Sequence, residues 1–227
     1  MQNAQRQGLQ RTGGIAALTN GVAYIVGLGL ALTLLAPVFA AGPKEYLAFM
    51  KNNLWLIYSW NLLIYMIAGI TMVPLALAMH ERLKDNQPAL MQVATAFGLI
   101  WAMTIISSGM IILNDIEVVS RLHSQDPERA LTVWMSVETI ERGLGGALEI
   151  PGGIWTLMVS WVGWQTRKLP RALGALGMLV GGAGILTLWP FQDEAGTVFG
   201  LGMVVWFLWV GILLMRRPAL RQQVALN

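Results

Sequence analysis

The sequence predicts an all-α, polytopic membrane helix bundle with six transmembrane helices and both termini in the cytoplasm. Three observations carry that expectation. Of the 227 residues, 56% are hydrophobic and only 12% are charged, about half the charged share of a typical soluble domain. The apolar residues come in long blocks, and several reach the roughly 20 residues that a helix needs to cross a hydrocarbon core of about 30 Å. The basic residues collect at alternate ends of those blocks, which is the asymmetry that orients membrane helices.

The whole chain, 1–227, reads as a single transmembrane domain, with spans expected at about 15–40, 54–79, 89–113, 146–166, 172–190 and 197–215. The first block is too long for a signal-peptide core and reads as a retained helix. A short loop (43–53), the polar segment "HERLKDNQP" and a charged stretch (114–129) separate the next spans. The stretch 130–166 is too long for one perpendicular helix, so the fourth span is counted back from the basic end at Arg167. That leaves 130–145 either as an amphipathic helix at the surface or as a long extension of the span. Gly143, Gly145 and Gly146 form a joint between the two parts. Connections this short imply antiparallel neighbours, and none is long enough to hold a separate catalytic domain.

Orientation follows from counting. One side carries Arg6, Arg11, Arg82, Lys84, Arg167, Lys168, Arg171, Arg216, Arg217 and Arg221, and the other carries Lys44, Lys51, Arg121 and Arg129. With Arg142 unassigned, ten, four and one account for the fifteen basic residues. The richer side is expected to be cytoplasmic. Because these charges flank apolar spans and do not form a stripe, nucleic acid is excluded as a partner. The lipid bilayer is the expected surrounding.

The chemistry-bearing candidates concentrate in "SVETIERGLGGALEIPGGIW". On an unbroken helix at 100° per residue, Glu138, Arg142 and Glu149 fall within about 40° of one another, and Glu141 lies about 60° to one side. Glu138 and Arg142 are spaced as an acid-first i,i+4 pair. Ionisable groups at membrane depth cost about 2.5–3.5 kcal/mol each, so they call for partners or a function. Pro151 is expected to free the carbonyl of Ala147, and Gly152 and Gly153 to admit another helix or a ligand closely. The bland alternative, at even weight, is that the charges pair locally and the glycines only pack helices. Asn61, Tyr58 and Tyr65 lie in the outer half of the second span, within reach of the acidic segment, although plain interhelical hydrogen bonding accounts for them more often. Asp115 and Glu117 at the outer end of the third span read as solvated charges that at most complete an acidic mouth.

There is no cysteine, which removes disulfides, thiolate sites and a cysteine nucleophile. The two histidines, His80 and His123, belong to opposite sides and cannot share a haem or a metal ion. No metal site and no cofactor are expected, and no phosphate loop, dinucleotide fingerprint or hydrolase motif is present. In the fifth span Gly174, Gly177, Gly181 and Gly184 form a small-residue stripe, and Gly196 and Gly200 repeat the spacing at the sixth. Such stripes pack helices, within the bundle or with a second chain or membrane partner.

The segment "RKLPRALGALGMLVGGAGIL", a basic turn followed by Leu-Pro-Arg and a glycine-rich span, resembles the domain-of-unknown-function family forty-three eighty-six, bacterial six-span membrane proteins. The upstream "EIPGGIW" is compatible with it. The resemblance implies the topology and brings no site with it; the expected location is the plasma membrane. Three functions remain open. The first is binding or transport of a small molecule, ion or proton through an extracytoplasmic acidic site built on Glu138, Glu141, Arg142, Glu149 and Asn61. The second is an accessory subunit that docks through the glycine stripes. The third, placed last, is a membrane-embedded enzyme acting on a lipid or quinone.

Overall fold

The computed structural model describes residues 2–146, 149–189 and 193–216. Among them the chain is helical, with no strand. The helices are α1 (Gln2–Leu32), α2 (Ala36–Ala41), α3 (Pro43–Asn52), α4 (Leu54–Asn61), α5 (Ala68–Leu83), α6 (Pro88–His123), α7 (Pro127–Glu141), α8 (Ile150–Gln165), α9 (Arg171–Leu186) and α10 (Asp193–Met215). Two π-helical turns, Leu62–Ile67 and Arg142–Gly146, join α4 to α5 and follow α7.

Four stretches are long and apolar enough to cross a membrane: Gln5–Leu32, Leu54–Leu83, Pro88–His123 and Glu194–Met215. Their outward surface is apolar, with Leu32, Met103, Met110 and Leu201 all exposed. Contiguous exposed apolar surface of this kind needs a lipid neighbour, and the chain is a membrane-embedded protein. The helices α8 and α9 are shorter, at 16 residues each.

The six helices α1, α5, α6, α8, α9 and α10 pack as a closed ring, each against the next in that order and α10 against α1. Gln87 and Gln165 are hydrogen-bonded, so α8 returns antiparallel to α6. The ring interior is filled by the large side chains Trp101, Trp155, Trp206, Phe199 and Phe207. Trp101 lies within 5.8–6.3 Å of the rings of Trp155, Phe199 and Phe207.

The glycine stripe of α9 is used inside this ring. A Cβ on Gly181 would stand 2.5 Å from the backbone nitrogen of Leu157 and 2.7 Å from the carbonyl oxygen of Gly153. A Cβ on Gly184 would stand 2.8 Å from the Cα of Gly153, and one on Gly174 would stand 2.8 Å from the Cβ of Trp164. Gly177 meets Ser160 and Trp206. The stripe therefore lets the backbones of α8 and α9 touch.

The two ends of the ring differ. At one end, Arg6 pairs with Glu81 (2.8 Å) and Lys168 with Asp85 (3.1 Å), tying the start of α1 to the end of α5 and the α8–α9 turn to the α5–α6 turn. At the other end α2, α3 and α7 form a cap with its own apolar cluster, which includes Leu35, Tyr46, Leu47, Met50, Ile116 and Val119. The pair Lys44–Glu128 (2.7 Å) closes the edge of that cap. The cap exists because α6 does not stop where its apolar run stops. It continues through the charged stretch to His123, about 54 Å at 1.5 Å per residue, so its last turns stand clear of the ring and give α3 and α7 a wall to pack on.

Several sequence expectations change at the boundaries. The first apolar block is not one helix to residue 40, because α1 ends at Leu32 and α2 turns away as part of the cap. Residues 130–145 are a separate helix, α7, and not an extension of the fourth span. The break comes at the glycine joint, where Gly145 takes φ 152°, a conformation that glycine alone adopts without strain. Pro151 sits in the first turn of α8, where a missing N–H costs nothing, so it does not interrupt a running helix. Ala147 lies outside the described residues.

Candidate functional site

A cavity of about 170 Å³ lies where the cap meets the ring. Three carboxyl groups line it, from Asp115 on α6 and from Glu138 and Glu141 on α7. Asn61 and Tyr65 come from the junction of α4 with its π turn, and Phe39, Tyr46, Trp60 and Trp134 supply aromatic rings. Among the described residues no basic side chain lines the cavity, although the charge of Arg142 acts on Glu141.

Local structure explains how each group arrives. On α7 the positions Trp134, Val137, Glu138 and Glu141 follow the i, i+3, i+4, i+7 spacing of one helical face, and all four line the cavity. Asp126 caps that helix by accepting from the backbone N–H of Arg129 at 3.0 Å. The π turn Leu62–Ile67 carries Tyr65, whose hydroxyl donates to Oε1 of Glu141 at 2.8 Å. A second π turn begins one residue after Glu141. Single π turns often mark functional sites, because they re-aim side chains that a regular helix would direct elsewhere. Trp60 is held by its indole N–H, which donates to the Gly27 carbonyl at 3.2 Å.

The cavity is unevenly satisfied. Glu141, 7% exposed, has its hydrogen bond from Tyr65. Asp115 is only 8% exposed and makes neither a hydrogen bond nor an ion pair with any described residue. Asn61, 3% exposed, donates to the Ile57 carbonyl at 2.8 Å, and its side-chain oxygen accepts from no described residue. Neither the Asp115 carboxylate nor the Asn61 side-chain oxygen is among the fully enclosed unpaired atoms, so both open onto the cavity, where they meet water or a ligand. Burial, and after it the charges of Glu138 and Asp115, push the Tyr46 phenol up to about 12. Tyr46 therefore stays a neutral hydroxyl donor at physiological pH. Among the described residues no three acidic or imidazole groups converge as a metal-ion site would require.

A family model described as "Domain of unknown function (DUF4386)" matches residues 14–217. The chain belongs to the DUF4386 family. Nothing matches among curated proteins or among solved structures.

In this DUF4386 chain the acidic segment is divided between two surroundings that stay within electrostatic reach, since the charge of Glu141 acts on Glu149 and that of Glu149 on Tyr65. Glu138 and Glu141 face the cap cavity, while Glu149 is the residue before α8 and accepts from the Trp101 indole N–H at 3.3 Å. Its backbone N–H donates to Thr187 at 2.9 Å. The shared face of Glu138, Arg142 and Glu149 does not form, because the helix on which it depends breaks between them. The Glu138–Arg142 pair is also absent among the described ion pairs. Arg142 is exposed at the start of the π turn, and although its backbone N–H still bonds the Glu138 carbonyl, its side chain makes no ion pair with Glu138. Gly152 packs on the Trp101 ring and Gly153 on the backbone of α9, so both serve packing. Tyr58 and Glu117 lie on a separate surface groove with Trp55, and Glu117 lies 3.6 Å from Arg121.

Reading the sequence alone did not find Phe39, Tyr46, Trp60 and Trp134. A signal existed for Trp134. Once 130–145 is treated as its own helix, the face that carries Glu138 and Glu141 also carries Trp134. Phe39, Tyr46 and Trp60 are brought in by three other elements, and no spacing relates them to α7.

Proposed function

We propose that this protein crosses the membrane six times with both termini in the cytoplasm, and binds or transports a small cationic species through the cap cavity on the extracytoplasmic side. Asp115 carries this reading. It is 8% exposed, has no partner among the described residues, and lines the cavity beside Glu138 and Glu141, so a cation entering there meets three carboxyl groups. The ring of six alternating helices supports six crossings. At about 24 Å, α8 and α9 are short for the hydrocarbon core, but both are flanked by full-length neighbours and the bilayer adjusts to modest mismatch. The gathering of Arg6, Arg82, Lys84 and Lys168 at one end supports a cytoplasmic N-terminus.

Topology is testable without background labelling, because the chain contains no cysteine. Lys44→Cys is expected to react with a membrane-impermeant maleimide added to intact cells, and Asp85→Cys only after lysis; the reverse pattern overturns the orientation. Binding is tested by calorimetry on the purified protein with inorganic and organic monovalent cations. At least one is expected to bind saturably and to lose at least about tenfold in affinity in Asp115→Asn. A protein that binds none of them overturns the reading.

A second reading, docking against another membrane helix, is favoured by one observation. A Cβ on Gly200 would meet nothing within 4 Å, and one on Gly196 only Thr187 at 4.0 Å. This G-x-x-x-G step of α10 is open, unlike the filled stripe of α9. A detergent-solubilised protein that stays monomeric in native mass spectrometry, with no partner co-purifying, refutes it.

A further inference from the structure

We infer that the cap cavity takes a small organic ammonium ion, a positively charged nitrogen bearing methyl or methylene groups, in preference to a bare inorganic cation. The inference rests on the cation-binding reading above and names the chemical class of its ligand.

The argument begins with the aromatic lining of the cavity. Phe39 and Tyr46 stack with ring centroids 5.6 Å apart, Phe39 lies 6.3 Å from Trp60, and Tyr46 lies 5.3 Å from Trp134. Four rings from α2, α3, α4 and α7 thus form one continuous aromatic surface along the cavity. Aromatic faces attract cations through their quadrupole and bury alkyl groups at the same time. An alkali or divalent ion gains little here, since it must exchange its water for several converging oxygens. The described acidic and imidazole groups do not converge in that way. An alkylammonium ion is more weakly hydrated and larger, and it spans carboxyls that are spread around a space without needing them at ligand distance.

The second observation is a pair of side chains, one acidic and one neutral. Among the described residues Asp115, 8% exposed, has no partner, and the side-chain oxygen of Asn61, 3% exposed, accepts no hydrogen bond. Both line the cavity. They supply one charge and one neutral acceptor for N–H or hydroxyl groups of a ligand, while the rings take its alkyl groups. Size agrees, since a cavity of about 150 Å³ takes a benzene-sized guest and this one measures about 170 Å³. That admits a compact ammonium and excludes a drug-sized molecule, whose sites run about 300–1,000 Å³.

The test uses isothermal titration calorimetry on the purified full-length protein in detergent. The probes are choline, tetramethylammonium, the neutral carbon isostere of choline, and the chlorides of sodium, potassium and calcium. Choline or tetramethylammonium is expected to bind saturably, with the neutral isostere at least about tenfold weaker. Asp115→Asn is expected to weaken binding at least about tenfold. Trp134→Leu should weaken it about 2- to 30-fold, the range that one cation–π contact contributes. Trp134→Phe should retain most of the affinity, which separates the aromatic face from simple packing, and unchanged gel filtration confirms that each variant is folded. Equal binding of the neutral isostere overturns the inference, and so does binding insensitive to both Asp115→Asn and Trp134→Leu. Asp115-dependent binding of an inorganic cation without any ammonium binding overturns this inference and leaves the broader cation reading standing. No binding by any of the probes overturns both.

Discussion

Gly181 and Gly182 are adjacent on α9, yet alanine is expected to act in opposite directions at the two positions. At Gly181 the new methyl would sit 2.5 Å from the Leu157 nitrogen and 2.7 Å from the Gly153 oxygen. Ordinary contact begins near 3.4 Å, so α8 and α9 must separate by about 0.9 Å (3.4 − 2.5) along that line. Both obstacles are backbone and cannot rotate away. Overpacking costs about 1–3 kcal/mol, and rigid obstacles place this case at the upper end. Replacing glycine inside a helix returns about 0.8–1.0 kcal/mol through propensity. The net expectation for Gly181→Ala is a loss of about 1–2 kcal/mol. At Gly182 nothing lies within 4 Å, so the propensity gain stands alone, and Gly182→Ala should be more stable by up to about 1 kcal/mol. The two variants should therefore differ by about 2–3 kcal/mol. Reversible unfolding in mixed micelles, followed by tryptophan fluorescence, measures the difference. Equal stability of the two variants, or a stabilised Gly181→Ala, would refute the close approach of α8 and α9.

Further expectations follow from polar contacts. Tyr65→Phe removes the hydroxyl that donates to Glu141. Hydrogen bonds between membrane helices average about 0.6 kcal/mol and those to charged groups reach about 1.5–3 kcal/mol, so a loss of about 1–2 kcal/mol is expected. The effect should shrink in a Glu141→Gln background, and strictly additive losses in a double-mutant cycle would show that the two groups do not interact. At the opposite end, the hydrogen bond and charge of Lys168 hold Asp85 below the usual carboxylate value. A carboxyl held low stabilises the fold above its ordinary value of about 3.9 and loses that contribution as pH falls through the lowered one. The stability difference between wild type and Asp85→Asn should therefore be constant near neutrality and vanish in acid. It should be small, because both groups are solvated, and should diminish with added salt. A difference that grows on acidification would contradict the pairing.

Much of the fold was legible because a bilayer imposes simple rules. Helix existence followed from apolar length, and the α9 stripe followed from the three- and four-residue recurrence of Gly174, Gly177, Gly181 and Gly184. The candidate site was half legible. Glu138, Glu141, Asn61 and Tyr65 were singled out by their chemistry and do line one cavity. Glu149 and Arg142 were grouped with them by assuming one continuous helix; the helix breaks at Gly145, and neither residue lines the cavity, although both still interact electrostatically with Glu141. Asp115 had read as a solvated charge. The apolar run of α6 stops before it, but the helix does not, and α3 and α7 then pack around its extension.

By itself, then, the sequence determined the class, the membrane environment and the close packing of the glycine-rich helices, since each depends on local composition and on periods of a few residues. Tertiary structure alone decided that α2, α3 and α7 form a cap over one end of the ring, and that four aromatic rings share its cavity with three carboxyls. Those residues come from separate elements spread from Phe39 to Glu141, and no local period relates them. Only the packing of the cap against the overlong α6 brings them within contact.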